Sequence, residues 1–543
     1  MKPSLSATSP WSPFQHPVFR ALWLANMVSN IGTFMQTVGA AWLMTSLSAM
    51  AVLVALVQAA SIFPMFLLAL PAGALADIID RRRLLLATQT WMMAAAAVLA
   101  ALTLLGATSP SVLLGFTFLL GLGAAMNAPA WQAIVPELVP RTELARAISL
   151  NGAGFNLSRA VGPALGGAMV AWAGAGATFI LNAVSFLGVI VVLYRWPRPI
   201  SDAALPAERM AAAIHTGLRY VRHSPRLKAV LWRTGIFMIF TSSLWALLPL
   251  VVRNELGGSS ADYGILLGCF GAGAVAGAAL LPRMQRHIPG EALLAGMTAL
   301  AGAMIAVPAL VPNLAALVVA MLLSGAAWLV IVSIFNVAIQ IAVPAWVRAR
   351  VLAVYMLVFA GGLSGGSAAW GAIATHQGIK AALLFSAGGL VLALLAAIRF
   401  RIILDEESDL TPSLHWPEPH LILEPRPEQG PVLITIEYVI EPGQSSQFTQ
   451  AMRALSVIRR RDGAIRWGLF QDAANPGRFL ETFIVETWME HRRQHERMTV
   501  ADRSIEEQAF AFHIGDGRPR VDHLLYAYGR RRRERRKFIR SLK

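Results

Sequence analysis

One arginine stands out among the residues of this sequence that could do chemistry. Arg159 lies about halfway along an apolar stretch that contains "FNLSRAVGPALGG". A charge in apolar surroundings is costly unless it is paired or hydrogen-bonded. The guanidinium could hold an anionic ligand or organise a polar network. It could equally be a structural group satisfied by backbone carbonyls, with Asn156 and Asn182 near it, and the sequence leaves both interpretations open.

Small residues and a proline follow Arg159 in the same stretch. Pro163 removes one helix hydrogen bond, and the glycines permit tight packing and bending. We therefore treat the arginine and this motif as one candidate functional segment, which comprises Arg159, Gly162, Pro163, Gly166 and Gly167.

Amide and aromatic side chains recur in other apolar stretches. They could bind a small molecule through hydrogen bonds and ring contacts, although any one of them alone is more often a contact between helices. The candidates for a substrate cavity are Asn26, Asn30, Gln36, Asn127, Trp131, Gln132, Trp245, Trp328, Asn336 and Tyr355.

The composition indicates where these residues lie. The chain has 543 residues, of which 56% are hydrophobic and only 14% charged, whereas a soluble domain carries about 25% charged residues. About a dozen apolar blocks precede residue 402, and each is long enough to cross a hydrocarbon core of ~30 Å as a helix. The predicted spans are 19–45, 50–76, 84–106, 110–134, 145–172, 176–195, 228–252, 260–282, 290–310, 314–341, 349–375 and 379–402.

The basic residues occupy every second loop between these spans. The net charge of +16 could suggest nucleic-acid binding, but the distribution is that of the positive-inside rule, so no nucleic-acid partner is expected. Arg253 and Lys380 are the exceptions. The pattern predicts a multi-pass protein of the inner membrane, with the lipid bilayer around it and both termini in the cytoplasm. The linker 196–227 contains a predicted amphipathic helix on the inner membrane surface.

The two sets of six spans resemble each other. "VPELVPRTELARAISLNGAGFNLSRAVGPALGG" follows span four, and "VPAWVRARVLAVYMLVFAGGLSGG" follows span ten. Both run from Val-Pro through arginines to glycines four residues apart, a spacing that lets helices approach closely in lipid. A duplicated six-helix unit is typical of a transporter that rocks two bundles about a central site.

A charge cluster interrupts the apolar sequence between spans two and three. The stretch is "GALADIIDRRRLLL", from Gly73 to Leu86. Asp77 falls at the end of a span, where it can meet arginines and a neighbouring helix N-terminus. Such a cluster could latch the two bundles in one state and release them in another, or its arginines could merely orient the hairpin. The gating candidates are Gly73, Asp77, Asp80, Arg81 and Arg82.

These motifs carry a family resemblance. Residues 18–402 resemble the major facilitator superfamily, whose motif between helices two and three is Gly-x-x-x-Asp-Arg/Lys-x-Gly-Arg-Arg/Lys; Ile78 and Asp80 depart from it. The "ADxxDRRR" form and residues 127–167 are similar to the transmembrane secretion effectors and enterobactin-type siderophore exporters. The resemblance implies export of a siderophore, drug or other secondary metabolite by alternating access, with proton coupling. However, no aspartate or glutamate lies deep in any predicted span.

The segment after residue 402 has a different character. Residues 403–430 are rich in proline and acid and are predicted to be a linker. Residues 431–529 then follow a β-α-β-β-α-β order, which fits a ferredoxin-like unit. This segment resembles the dimeric α/β-barrel domain of antibiotic-biosynthesis monooxygenases, which implies a possible homodimer. The basic segment 530–543 could bind anionic lipid headgroups or be a disordered tail.

The role of this C-terminal domain is left open between two hypotheses. It could be an oxygenase-like enzyme that modifies the cargo, or a binding or dimerisation module that regulates the transporter; the absence of a clear catalytic constellation favours the module. His491 and His495 could share a metal, but a solvated basic face is favoured. Trp467, Trp488 and His513 could line a pocket, but core packing is favoured. We expect no catalytic residue, no metal and no cofactor.

The predicted architecture is an all-α polytopic membrane protein with an added α+β ferredoxin-like cytoplasmic domain. Twelve transmembrane helices form two six-helix bundles, and the protein acts as a secondary transporter of a small-molecule substrate rather than as an enzyme. The predicted divisions are 1–195, 196–227, 228–402, 403–430, 431–529 and 530–543.

Overall fold

The computed structural model describes residues 9–196, 210–402, 409–413, 415–416 and 425–527, without the side chains of 70, 73–78, 210–215, 396 and 398. The chain divides into two compact units. The first comprises Met1–Met210, Ala229–Ala338 and Ala353–Ile402, and the second comprises Ala211–Lys228, Ile339–Leu352 and Ile403–Lys543.

Six long helices occupy the first part of the chain. Proline opens two of them, where its missing N–H is not needed, and the side chains of Asp80 and Ser109 accept backbone hydrogen bonds at the starts of α3 and α4. The helices are α1 (Pro17–Leu47), α2 (Ala51–Ile78), α3 (Arg81–Leu104), α4 (Pro110–Leu138), α5 (Leu144–Ala173) and α6 (Ala175–Arg195).

A shorter helix and six further long helices follow. The side chains of Ser259 and Asp262 form a reciprocal capping box at the start of α9, which satisfies two backbone donors that the helix leaves free. The helices are α7 (Met210–Arg222), α8 (Pro225–Leu250), α9 (Ser260–His287), α10 (Gly290–Leu310), α11 (Leu314–Ile341), α12 (Ala345–Gln377) and α13 (Ile379–Arg399).

Many of these helices suit a membrane. Within the described part of the chain, nine helices are long and apolar enough to cross one, and α13 contains a shorter apolar segment, Ile379–Leu395. The protein is therefore a helical polytopic membrane protein.

The glycine pairs seen in the sequence bring equivalent helices together in the two halves. A Cβ on Gly162 or Gly166 of α5 would lie 2.7 Å from atoms of Phe34 or Met35 on α1. A Cβ on Gly366 of α12 would lie 2.6 Å from the Ile239 carbonyl oxygen on α8. Glycine is needed because the backbones approach closely at these points, and the repeated packing follows the repeated sequence.

A second set of close contacts joins the two six-helix groups along α5 and α9; we call it the seam. A Cβ on Gly167 would lie 2.4 Å from the Ser260 carbonyl oxygen and 2.8 Å from Gly264 Cα. Further along, a Cβ on Gly271 would lie 2.6 Å from Ala160 Cα. The seam therefore depends on glycine in both helices.

The second unit contains a four-stranded antiparallel sheet with helices around it. The strands are β1 (Val432–Val439), β2 (Arg466–Gln471), β3 (Arg478–Val485) and β4 (Arg520–Leu525), in the spatial order β2-β3-β1-β4. Between them lie α14 (Ser445–Asp462), α15 (Trp488–Arg497) and α16 (Val500–Phe510). The expected second helix is two helices, because Thr499 and Asp502 form a capping box that starts a new one.

A hydrophobic core holds the helices on the sheet. Alternate residues of β1 are buried, as expected of a strand with one face on a core. Phe448 of α14 and Phe483 of β3 are among the fully buried side chains. Trp488 belongs to this core and Trp467 packs against it, so the favoured packing role of these two residues is confirmed.

Helix α7 and the start of α12 belong to this second unit. Arg219 of α7 forms an ion pair with Glu490 of α15 at 2.9 Å. Tyr220 is buried beneath the Arg461 guanidinium, and Arg497 lies over the Trp346 ring. The linker helix thus packs its polar side on the α+β domain. The helical spacing of Met210, Ile214, Leu218 and Val221 predicts an apolar side for this helix. Leu218 is exposed and Val221 is half-buried, while the side chains of Met210 and Ile214 lie outside the described residues.

Candidate transport cavity

A cavity of about 480 Å³ lies among the first six helices. Its walls combine apolar residues with many side-chain amides, and we call it the amide cavity. The amides that line it are Asn26, Asn30, Gln36, Gln89, Asn127, Gln132, Asn151 and Asn182.

Hydrogen bonds among these amides link neighbouring helices. The Asn182 side chain donates to Gln36 Oε1 and accepts from Thr33 Oγ1 at 3.3 Å. Asn127 Oδ1 accepts from Thr88 Oγ1 at 3.2 Å and from Gln89 Nε2 at 3.3 Å. Two small networks therefore fix α1 to α6 and α3 to α4.

The amide cavity is uncharged where the structure describes it. None of its described lining residues is Asp, Glu, Lys, Arg or His. Gln89 Oε1 is buried without a hydrogen-bond partner, which leaves an acceptor available at the wall. A buried unsatisfied polar atom is unfavourable, so a donor on a bound molecule would stabilise this site.

The sequence identified part of this lining. Asn26, Asn30, Gln36, Asn127, Trp131 and Gln132 were expected at a substrate cavity, and all of them line this one. Gln89 on α3 was not among the candidates from the sequence, and Asn182 on α6 was named only as a neighbour of Arg159. Both residues are buried amides in apolar helices, and this pattern was the available signal.

Arg159 lies against aromatic rings of the other six-helix group. Its guanidinium carbon is 5.3 Å from the ring centre of Phe270 and 5.7 Å from that of Trp245. Trp245 and Phe270 are in contact at 4.4 Å. This group of rings, which we call the aromatic cluster, comprises Trp245, Phe270, Trp328, Tyr355 and Phe359.

Two polar atoms of the aromatic cluster are buried without hydrogen-bond partners. They are Trp245 Nε1 and the Tyr355 hydroxyl, and both can donate a hydrogen bond. Together with the Arg159 guanidinium they provide donors beside apolar ring faces. The structure thus brings together Arg159, Trp245, Trp328 and Tyr355, which the sequence named as separate candidates.

One face of α5 connects the amide cavity with Arg159. Asn151 and Phe155 line the cavity, and Arg159 follows at the same four-residue spacing, so the three side chains share a face of the helix. Asn336, on α11, is not among the described residues that line the amide cavity.

The gating candidates have separate structural contacts. Arg81 forms an ion pair with Glu137 at 2.7 Å, and Arg82 donates to the carbonyls of Leu193 and Tyr194 at the end of α6. Asp80 caps α3 through the Arg83 N–H. The side chains of Gly73 and Asp77 lie outside the described residues, so the latch stays a prediction.

The helix-five motif forms close contacts between helices. Gly162 and Gly166 face α1, and Gly167 faces α9 in the seam. These glycines therefore serve packing, while Arg159 in the same segment faces the aromatic cluster.

The histidine pair of the C-terminal domain is not on a solvated face. His491 is buried, and its Nε2 lies 3.4 Å from that of His495. The prediction of a solvated face was wrong for His491, because α15 turns this residue toward the sheet and exposes the next one, Arg492. His513 accepts from the Val439 N–H. Within the described chain, no group of three His, Cys, Asp or Glu side chains could hold a metal.

Comparison with known proteins identifies the family. A profile of the transmembrane secretion effector family matches residues 8–531. The chain belongs to this family of major facilitator transporters. The match covers the membrane helices and the described strands, and it confirms the family resemblance found in the sequence. It does not test the resemblance of residues 431–529 to monooxygenase domains, which stays a prediction.

Individual relatives are also transporters. The staphyloferrin A transporter of Staphylococcus aureus is 26% identical over 260 residues, which are 48% of this chain and 65% of the relative. The multidrug efflux pump Tap of Mycolicibacterium fortuitum is 29% identical over 376 residues, which are 66% of this chain and 90% of the relative. The chain thus spans just under two thirds of the first relative and most of the second.

Solved structures share the membrane fold. A bacterial homologue of the human lysosomal transporter Spinster, in an inward-facing and unoccupied conformation, aligns with a TM-score of 0.57 at 16% identity. It covers 72% of this chain and 98% of its own. The nucleoside transporter NupG aligns with a TM-score of 0.57 at 12% identity, over 71% and 100% of the two chains. The family, these relatives and these structures are all transporters, which agrees with a chain that is not an enzyme.

Proposed function

We propose that this protein is an inner-membrane exporter of a small molecule, which it moves by alternating access through twelve membrane-spanning helices. The observation that carries the proposal is the amide cavity, which Asn151 and Phe155 of α5 help to line, with Arg159 one helical turn further along the same face of α5 and in contact with the aromatic cluster. The names of the relatives, a siderophore transporter and a multidrug efflux pump, support this class of activity.

The lining favours a particular chemistry of cargo. Amides bind hydroxyl, carbonyl and amide groups without demanding a charge. Arg159, Trp245 Nε1 and the Tyr355 hydroxyl favour an anionic or oxygen-rich group, and the surrounding rings favour an apolar or aromatic part. A siderophore, a drug or another secondary metabolite with both parts is the cargo that we propose.

The charge pattern and the contacts between the two six-helix groups support a state that is closed on the outer side. We assign the ends of α2 and α11, together with both termini, to the cytoplasm because the basic loops follow the positive-inside rule. Hydrogen bonds join the two groups at the other end, from the Val52 N–H to Thr375 Oγ1 at 3.0 Å and from Arg253 to Thr45 at 2.8 Å. We propose that the cargo leaves when these contacts separate.

We propose the proton gradient as the energy source. The described lining of the amide cavity has no carboxylate, so a group that carries the proton would lie outside this lining. Collapse of the proton gradient with a protonophore should stop export by energised cells. Export that continues unchanged would contradict proton coupling while leaving the transporter proposal intact.

The decisive experiment compares export from a host strain that lacks this gene with strains that carry defined variants. The intact protein should release at least one oxygen-rich metabolite that the deletion strain retains, as measured by mass spectrometry of cells and medium. Gln132→Leu should reduce this release several-fold, because Gln132 lines the cavity. Gln377→Leu, an exposed position at the end of α12, is the matched control. Identical metabolite profiles in the deletion and intact strains would contradict export.

The α+β domain could also join two copies of the chain. Phe470 on β2 and Leu524 on β4 are exposed apolar residues of the sheet, and a partner could cover them. We propose a homodimer through this domain. Mass photometry of the protein in discs of known mass should then show the mass of two chains after the disc mass is subtracted, and the mass of a single chain would contradict it.

A further inference from the structure

A second cavity, of about 710 Å³, lies within the α+β domain. We call it the domain pocket. Residues of β1 and β4 form one side, and residues of α14, α15 and α16 form the other, with the segment His415 and Trp416 beside them. It shares no lining residue with the amide cavity.

An arginine with one unused donor lies in the wall of this pocket. Arg459 is only 1% exposed. Its Nε donates to Glu481 at 3.1 Å and its Nη2 donates to Glu506 at 2.8 Å. Its Nη1 is buried without a hydrogen-bond partner. Buried N–H groups are nearly always paired in native proteins, so this donor indicates that an acceptor is supplied from outside the chain.

The two carboxylates beside Arg459 are already engaged. Glu481 also accepts from the Tyr438 hydroxyl and from Trp467 Nε1. Glu506 also bonds to His415 and accepts from Trp416 Nε1. The free group that the pocket offers is therefore a donor rather than an acceptor, which points to a ligand oxygen rather than to a cationic group.

The charges around the domain pocket do not call for a charged ligand. Burial, together with the neighbouring charges, lowers the pKa of His491 to about 3 and that of His495 to about 4, so both are neutral near pH 7. Burial opposes ionisation of Glu506, but Arg459 and the bonds from His415 and Trp416 outweigh it and lower its pKa to about 2. One positive and two negative charges then face each other in the buried part of the pocket. Arg518, Arg520 and Asp522 line its exposed part, so three positive and three negative side chains surround the pocket and their charges balance.

Flat apolar walls surround the unused donor. The Trp416 and Phe483 ring centres lie 5.0 and 5.2 Å from the guanidinium carbon of Arg459. The imidazoles of His491 and His523 are 4.7 Å apart. Planar groups pack well against such surfaces.

From this geometry we propose that the domain pocket binds a small, uncharged, planar molecule whose carbonyl or similar oxygen accepts a hydrogen bond from Arg459 Nη1. The proposal is independent of the cargo, because it rests on residues that do not line the amide cavity. It assigns a ligand site to the α+β domain and names the group that recognises the ligand.

The site also has a structural connection to the transporter helices of its own unit. Helix α15 places His491 and His495 in the pocket wall, while Glu490 and Arg497 of the same helix contact Arg219 of α7 and Trp346 of α12. A ligand that shifts α15 would therefore act on contacts with α7 and α12, so the site is suited to sensing.

The test uses the full-length protein in lipid nanodiscs and fluorine NMR of three small probes. The probes are 4-fluoroacetophenone, which has a ketone oxygen, 4-fluorobenzoate, which is an anion, and 4-fluorotoluene, which has no acceptor. For each probe, line broadening by the intact protein is compared with line broadening by Val521→Trp. Val521 is an exposed residue of the pocket lining, and a tryptophan there should block the pocket. The difference between the two proteins removes the contribution of probe that partitions into lipid. Ile514→Trp, an exposed position that is not in the described lining, controls for the added ring.

The ketone should bind the intact protein about tenfold more tightly than the toluene, as expected for one hydrogen bond to a charged donor. Arg459→Lys should remove this preference and leave toluene binding unchanged, whereas Arg460→Lys, at the exposed next residue, should keep it.

Equal binding of all three probes, or a ketone signal that survives Val521→Trp, would overturn the proposal. Preferential binding of the benzoate would show that the ligand is an anion and would refute an uncharged one. If Arg459→Lys does not fold, the two tryptophan variants decide. The ketone signal should be lost in Val521→Trp and kept in Ile514→Trp, and any other result would overturn the proposal.

Discussion

The amide cavity and the domain pocket hold their polar groups in opposite ways. The first is lined by neutral amides that bond to one another, and the second encloses an arginine and two glutamates that are nearly fully paired. A neutral hydrogen bond contributes only about 0.5–1.5 kcal/mol net, so a cargo can replace it and later be released. A buried ion pair cannot lose one partner without leaving a stranded charge. We infer that the exchangeable hydrogen bonds of the amide cavity suit a site through which cargo passes. The fixed ion pairs of the domain pocket suit a site that presents one donor to a ligand.

Removal of the central charge of the domain pocket is the strongest test of this contrast. Arg459→Met should leave the buried Glu481 and Glu506 without the positive charge of Arg459, and breaking a buried ion pair in this way costs about 3–5 kcal/mol. Hydrogen exchange of the β1 and β3 amides, followed by mass spectrometry, should show faster opening of the domain. Arg460→Met is the control, since Arg460 is exposed. Protection equal to that of the intact protein would mean that the ion pairs do not hold this framework.

The seam provides the corresponding test in the membrane unit. Gly167→Ala places a methyl group 2.4 Å from the Ser260 carbonyl oxygen, and overpacking of this kind costs roughly 1–3 kcal/mol. Export per amount of detergent-stable protein should fall about tenfold. Gly152→Ala on the same helix is the matched control, because a Cβ there meets nothing within 4 Å. If export falls equally in Gly167→Ala and Gly152→Ala, the effect comes from replacing a glycine within α5 and not from the contact between α5 and α9.

Acid should affect the domain pocket more than the amide cavity. The folded-state pKa of His491, about 3, lies below its ordinary value of 6.5 because burial disfavours the charged ring. The unfolded chain therefore binds a proton that the folded one does not, and stability falls as the pH drops below 6.5 until it levels off near 3. Linkage gives a loss on the order of 1 kcal/mol at pH 5.5.

This acid effect can be measured by the same hydrogen exchange, corrected for the intrinsic rate at each pH. His491→Gln should flatten the pH dependence in β1, whereas His376→Gln, at an exposed position on α12, should leave it unchanged. A dependence that persists in His491→Gln at full size would assign it to other groups, such as His495 and His523.

The sequence alone predicted more of the membrane unit than of the α+β domain. Apolar span lengths and the repeated Gly spacing are local signals, so the long helices and close helix packing at Gly162 and Gly166 could be expected, whereas the partner helix α1 could not. The lining by Gln89 and the burial of His491 depend on which helix face turns inward, and that is set by tertiary packing. The pairing of Arg459 with Glu481 and Glu506 joins residues 22 and 47 positions apart. No spacing rule in the sequence links them.

Arg159 combines features of both regions, since it is a charge beside the transport path that we propose. Its guanidinium contacts the rings of Trp245 and Phe270, and a cation over a ring contributes about 0.5–1 kcal/mol at exposed sites and more when desolvated.

Arg159→Lys retains the charge but loses the planar fork of donors. If that fork serves the cargo, the variant should fold normally and export several-fold less. Arg159→Ala should lose both the ring contact and the charge. Efflux normalised to detergent-stable protein separates the possibilities. Full activity in Arg159→Lys refutes a role that needs the fork, and loss of folded protein in both variants makes Arg159 a structural residue, held by the rings alone.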